Sequence, residues 1–178
     1  MKQLIQSLSV ASFVCLGSTP LVAANETFKV SEFTFKRPAS FEWVETTSKM
    51  RAAQLKVSSA DKKQSGEVIF FYFGAGGAGG VKANVDRWFG QFEEPREKIN
   101  AKTEDKTVGK TRVTYVSAEG TYKSGPPGGP FTPMKDHALL GAIVEGGEGS
   151  VFIRLTAPKD LAKSATDDFK KMVEGALK

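Results

Sequence analysis

Gly74, Gly76 and Gly79 fall in the pattern G-x-G-x-x-G, between an apolar run at residues 67–73 and a helical stripe that begins at Val81. In that setting glycine amides and a helix N-terminus can cradle a pyrophosphate. Just beyond, Asn84, Arg87 and Gln91 are spaced by three and four on one polar flank of the same helix. Together with Gly76 and Gly79 they form a candidate ligand site, in which Arg87 would meet a carboxylate or phosphate through its fork of donors. The alternative is a glycine connection whose residues adopt positive φ cheaply, followed by solvated helix side chains.

The wider context limits the chemistry. No second parallel strand carrying an acidic residue follows about 20 residues on, as a nicotinamide dinucleotide would require. Gly80-Val81 stands where a P-loop needs Lys and Ser or Thr. No cofactor is expected. His137, beside Asp136, is the one histidine, and no G-x-S-x-G motif is present to supply a nucleophile on a strained turn. One histidine with a single cysteine, Cys15, does not signal a metal site. No catalytic and no metal-binding residue is therefore assigned. The stretch 125–133, with Pro126, Pro127, Pro130 and Pro133 around Phe131, reads as a surface connection that could also dock on a partner through Phe131.

The residues at the start of the 178-residue chain read as an export signal. Lys2 supplies a positive end, residues 4–16 are largely apolar, and Val22-Ala23-Ala24 offers small side chains to a signal peptidase. Cys15 lies within the apolar stretch and lacks the pattern of a lipid anchor before it. Cleavage after Ala24 leaves residues 25–178 as a single cysteine-free domain, periplasmic or secreted, held by packing alone. No segment has the roughly 20 apolar residues that span a bilayer. The formal net charge of +5 is spread over lysines with acidic residues between, which is a solvated surface and not a nucleic-acid stripe.

The elements that would position these residues follow from periodicity. Residues 33–35, 41–44 and 50–57 show short extended patterns, the first two separated by a turn at Pro38. The unbroken run 67–73 predicts a strand covered on both faces. Val81, Val85, Trp88, Phe89 and Phe92 make one helical stripe; Leu161, Ala165, Phe169, Met172, Val173 and Ala176 make another. Residues 112–122, 137–145 and 151–156 read as further strands, the last two joined by a tight glycine turn at 146–150. The expected fold is α/β, with an antiparallel or mixed sheet sandwiched between helices. Residues 93–110 read as a charged, mobile linker, and 123–133 as a loop.

Phe35-x-x-Pro38-x-x-Phe41-x-Trp43, Phe71-Tyr72-Phe73-Gly74, the stretch Val81, Ala83, Asn84, Val85, Asp86, Arg87, Trp88, Gln91 and Phe92, and the closing Phe152, Leu155, Thr156, Ala157 and Pro158 resemble a family of exported bacterial proteins to which no activity is assigned. In element order the chain also resembles the PsbP-like extrinsic proteins of photosystem II, which implies α/β/α layers and a non-catalytic binding or assembly role. The functional expectation is an exported binding or accessory protein of the bacterial cell envelope, with an envelope protein or a small anionic ligand as partner. The other expectation is a hydrolase-like enzyme with its pocket at the glycine-rich loop.

Overall fold

In a computed structural model that describes residues 26–126 and 129–177, strands β1 (Thr27–Val30), β2 (Phe33–Lys36), β3 (Phe41–Trp43), β4 (Ala53–Ser58) and β5 (Ser65–Tyr72) precede helix α1 (Val81–Phe89). Strands β6 (Lys102–Val108), β7 (Thr111–Ser124), β8 (Thr132–Glu145) and β9 (Val151–Pro158) follow, and helix α2 (Lys159–Gly175) closes the chain. The export segment with Cys15, and Pro127 and Gly128 of the proline-rich stretch, lie outside the described residues. Among the described residues no helix is long and apolar enough to cross a membrane.

Seven strands form one sheet in the order β3-β4-β5-β9-β8-β7-β6, and every neighbouring pair is antiparallel. Of the two expected sheet types, the antiparallel one is present. Because side chains alternate across a strand, Val68 and Phe70 of β5 join the core on one face while Phe71 packs on the core of the other. The doubly covered strand is thus as the apolar run predicts.

On the first face lie α2 and the separate β1–β2 hairpin. Phe28 and Phe35 of the hairpin each place a ring 5.0 Å from that of Phe70, and Leu161, Ala165, Phe169 and Val173 of α2 close the same core. Asp160 sits in the first turn of α2, where its charge favours the helix dipole. On the second face α1 presses Val85, Trp88 and Phe89 onto Leu139, Ile143 and Phe152. Trp88 lies so close over Gly141 that a Cβ there would come within 2.2 Å of its ring.

The helical stripe of the sequence runs to Phe92, but α1 stops at Phe89. Gly90 is a poor helix former, and the backbone beyond it turns to the sheet: the Lys123 amide donates to the Gln91 carbonyl and the Glu93 amide to that of Thr121. Phe92 stays buried by bridging to Tyr122 instead.

The charged stretch 93–110 is not a mobile linker. It holds a short 3-10 turn at Arg96–Lys98 and all of β6, which pairs with β7 from Lys102–Ser117 to Val108–Thr111. Six of its seven side chains are exposed, so apolar alternation gives no signal; the backbone ladder holds it. A charged outer strand also discourages pairing with another chain. The proline-rich connection is likewise shorter than 123–133, since β7 runs to Ser124 and β8 begins at Thr132.

Lys106 of β6 lies 2.7 Å from Glu174 of α2. That hydrogen bond and charge hold the Glu174 carboxyl below its ordinary value. A carboxylate with a lowered folded-state value contributes stability above the unfolded-state value and loses it as pH falls through the folded one. Glu174→Gln should therefore cost no more than about 1 kcal/mol at neutral pH and flatten the acid limb of stability. Urea midpoints measured between neutral and acid pH check this; parallel acid limbs in the two proteins contradict it.

Candidate functional site

Where α1 ends, the sheet face it covers turns from apolar to polar. Along β9 the residues on that face are Phe152, Arg154 and Thr156; the first joins the core under α1, and the other two border an open groove of about 600 Å³. Gln54 and Lys56 of β4 and Glu67 of β5 extend the same surface, with Lys56 opposite Glu67 and Glu67 opposite Thr156 in the strand register. Among the described residues no helix spans these strands on this side, so the polar ends of their side chains can stay hydrated there.

Arg154 is the residue at the boundary. Its guanidinium carbon lies 5.7 Å from the Phe71 ring centre, and Nη1 donates to Gln91 Oε1 at 2.9 Å. Tyr122 donates its hydroxyl to the same oxygen at 3.2 Å, and burial raises the Tyr122 phenol above its ordinary value, so it remains a donor. Arg154 Nε is buried with no hydrogen-bond acceptor among the described residues. The guanidinium thus keeps donor capacity beyond its bond to Gln91, of the kind that matches the oxygens of a carboxylate or phosphate. Nearby, Arg51 donates to Gln54 at 2.8 Å and to Glu67 at 3.3 Å. The groove carries Arg51, Lys56 and Arg154 against Glu67 alone, a surplus of positive charge suited to an anion.

His137 and Met134 both line this groove although three residues apart. A bulge in β8 makes that possible: Gly120 pairs with His137 but Tyr122 pairs with Met134, so β8 spends one extra residue there. Asp136 sits in the bulge at φ +52°, and the change of phase turns Met134 to the same side as His137. The His137 Nδ1 lies 2.8 Å from the Lys135 carbonyl. Among the described residues no hydroxyl bonds its ring, so no nucleophile–base pair is formed.

The candidate residues read from sequence separate into three places. Gly76 and Gly79 adopt φ of +72° and +74° and line a shallow cleft of about 280 Å³ between the glycine-rich loop and the turn at 146–150. Asn84 is buried, and its Nδ2 donates to the carbonyls of Ala78 and Gly80 at 2.9 and 3.1 Å, tying the loop to the helix. Arg87 is exposed in the last turn of α1. Gln91 points away from the loop to Arg154 and Tyr122. The structure thus brings Gln91 to the basic groove and leaves the glycines at another.

Arg51, Lys56, Tyr122 and Arg154 are groove residues that the sequence reading passes over. One signal marks Arg154: a single charge in the stretch Val151 to Ala157, whose other residues are apolar except Thr156. Among the described residues no three His, Cys, Asp or Glu side chains cluster as metal ligands would.

No protein-family model and no curated protein sequence matches the chain. Among solved structures it is similar to cyanobacterial PsbP (CyanoP) from Synechocystis sp. PCC 6803, determined in solution, at 10% identity and a TM-score of 0.48. The alignment covers 89% of this chain and 95% of that one. The likeness to a PsbP-like fold is a loose one.

Proposed function

We propose that this is an exported binding protein of the bacterial cell envelope, not an enzyme, and that it takes a small anionic ligand in the groove around Arg154. The observation that carries the reading is a guanidinium at the groove wall, fixed by Gln91 and Phe71, whose Nε has no acceptor among the described residues. A buried donor without an acceptor costs about 1–3 kcal/mol, and a small turn of the side chain that brings Nε to a bound oxyanion would relieve it. Arg51 and Lys56 add attraction at the groove wall, and Tyr122, Ser65 and Ser124 offer hydroxyls. The export half of the reading rests on Lys2, the apolar residues 4–16 and the small residues before Asn25.

Thermal unfolding with phosphate, citrate or acetate tests the groove. A ligand at 100 times its dissociation constant adds about 2.7 kcal/mol of stability, and that gain should vanish in Arg154→Met, which keeps an apolar stem over Phe71 while removing the donors. Equal stabilisation of both proteins by every anion that binds sinks the groove. Export is read separately, by the intact mass of the chain recovered from bacterial periplasm: a start at Asn25 supports it, and a retained Met1 in the cytosol counts against it.

A further inference from the structure

The opposite face of the sheet carries a second cleft, of about 300 Å³, between α2 and the strands beside it. α2 lies over β8 and β9, so its flank leaves part of β7 and β6 uncovered. One cross-strand row crosses that gap: Lys102 pairs with Ser117, Ser117 with Leu140, and Leu140 with Leu155. Along the row burial rises from exposed Lys102 through half-buried Ser117 and Leu140 to fully buried Leu155. Ala162 and Phe169 of α2 form the facing wall.

Charge on the rim is unevenly committed. Lys159 pairs with Glu119 at 2.7 Å, and Lys170 with Glu104 at 3.6 Å. Lys102 on the strand bank and Lys163 on the helix bank make no ion pair among the described residues, and both line the cleft. The result is a largely apolar trough with one unpaired ammonium group on each bank. Two strand spacings, about 10 Å, separate Lys102 from Leu140.

We propose that this cleft binds the free carboxylate form of a medium-chain aliphatic acid, independently of the basic groove. The carboxylate lies between Lys102 and Lys163, and the chain runs over Ser117 and Leu140 against Ala162 and Phe169. The volume is at the lower end of the roughly 300–1,000 Å³ typical of small-molecule sites, which suits one such chain and not a two-tailed lipid.

Isothermal titration of the protein with decanoate tests this, with decyl maltoside as the uncharged molecule of equal tail and butyrate as the short acid. In Arg154→Met, whose basic groove has lost the donors that would take a carboxylate, one decanoate per chain is expected, with the maltoside and butyrate each weaker by about tenfold or more, as loss of a charge-assisted contact or of most of the buried tail implies. Lys102→Gln combined with Lys163→Gln, both exposed and without structural partners, should weaken decanoate by a similar factor, and Leu140→Gln should do so from the other end. The parent should keep this site too, any second and weaker decanoate there belonging to the groove. Equal affinity for decanoate and the maltoside, unchanged affinity in the double lysine variant, or loss of binding in Arg154→Met alone would each overturn the assignment, the last by moving the acid to the groove.

Discussion

Trp88→Ala should destabilise the protein by about 3–5 kcal/mol, the usual cost of emptying a buried aromatic site. Trp88 is 5% exposed and joins α1 to the sheet at the centre of the second core. Its ring occupies the space above Gly141, where an added Cβ would approach two ring carbons to 2.2 and 2.6 Å. Gly141→Ala should therefore cost about 1–3 kcal/mol by overpacking. The pair is coupled: with Trp88 already truncated, the new methyl enters vacated space and replaces a glycine that weakens a strand. Urea unfolding of both single variants and the double one should show the Gly141→Ala penalty vanish or change sign in the Trp88→Ala background. Simple addition of the two costs would mean that the indole does not rest on the glycine.

Phe70→Ala should cost a comparable amount, about 3–5 kcal/mol, with a different spatial signature. Phe70 is fully buried, and its ring meets both Phe28 and Phe35 edge-on. An isolated two-stranded hairpin is marginal in water, so β1–β2 depends on this aromatic contact with the sheet. Limited proteolysis should cut between Thr27 and Lys36 far faster in Phe70→Ala than in Trp88→Ala, whose damage lies on the other face. A protected hairpin in Phe70→Ala, or a cost below about 1 kcal/mol, would show that the hairpin is held by something else.

The parts of the fold legible in the sequence are those in which burial writes a period into the chain. β5, α2 and the β8–β9 hairpin each combine such a period with a clear boundary: a glycine loop, Pro158, or the glycines of 146–150. β6 has no such signature because its side chains face water and its hydrogen bonds come from the backbone of β7. β1 is only four residues long, with two inward phenylalanine and valine side chains that a sequence window barely registers.

The site was harder to read for a different reason. The glycine pattern announces itself locally, whereas the groove is assembled from β4, β5, β7, β8 and β9, with Gln91 behind Arg154, and no linear spacing connects Gln91 to Arg154. Gln91 was legible as a polar helix-flank residue but not its direction, which depends on Gly90 ending the helix one residue earlier.

The extra residue in β8 also sets how the groove can change shape. Beyond His137, β8 has lost β9 as a neighbour, since the last β8–β9 partners are His137 and Pro158; Thr132, Pro133 and Met134 pair with β7 alone. That outer segment can part from β7 without breaking the central ladder or either core, so its opening draws on local rather than global stability. One bank of the groove turns at the Asp136 bulge while the Arg154 bank is paired on both sides within the sheet. The positive charge of the groove therefore stays in place whatever width the outer segment of β8 leaves it.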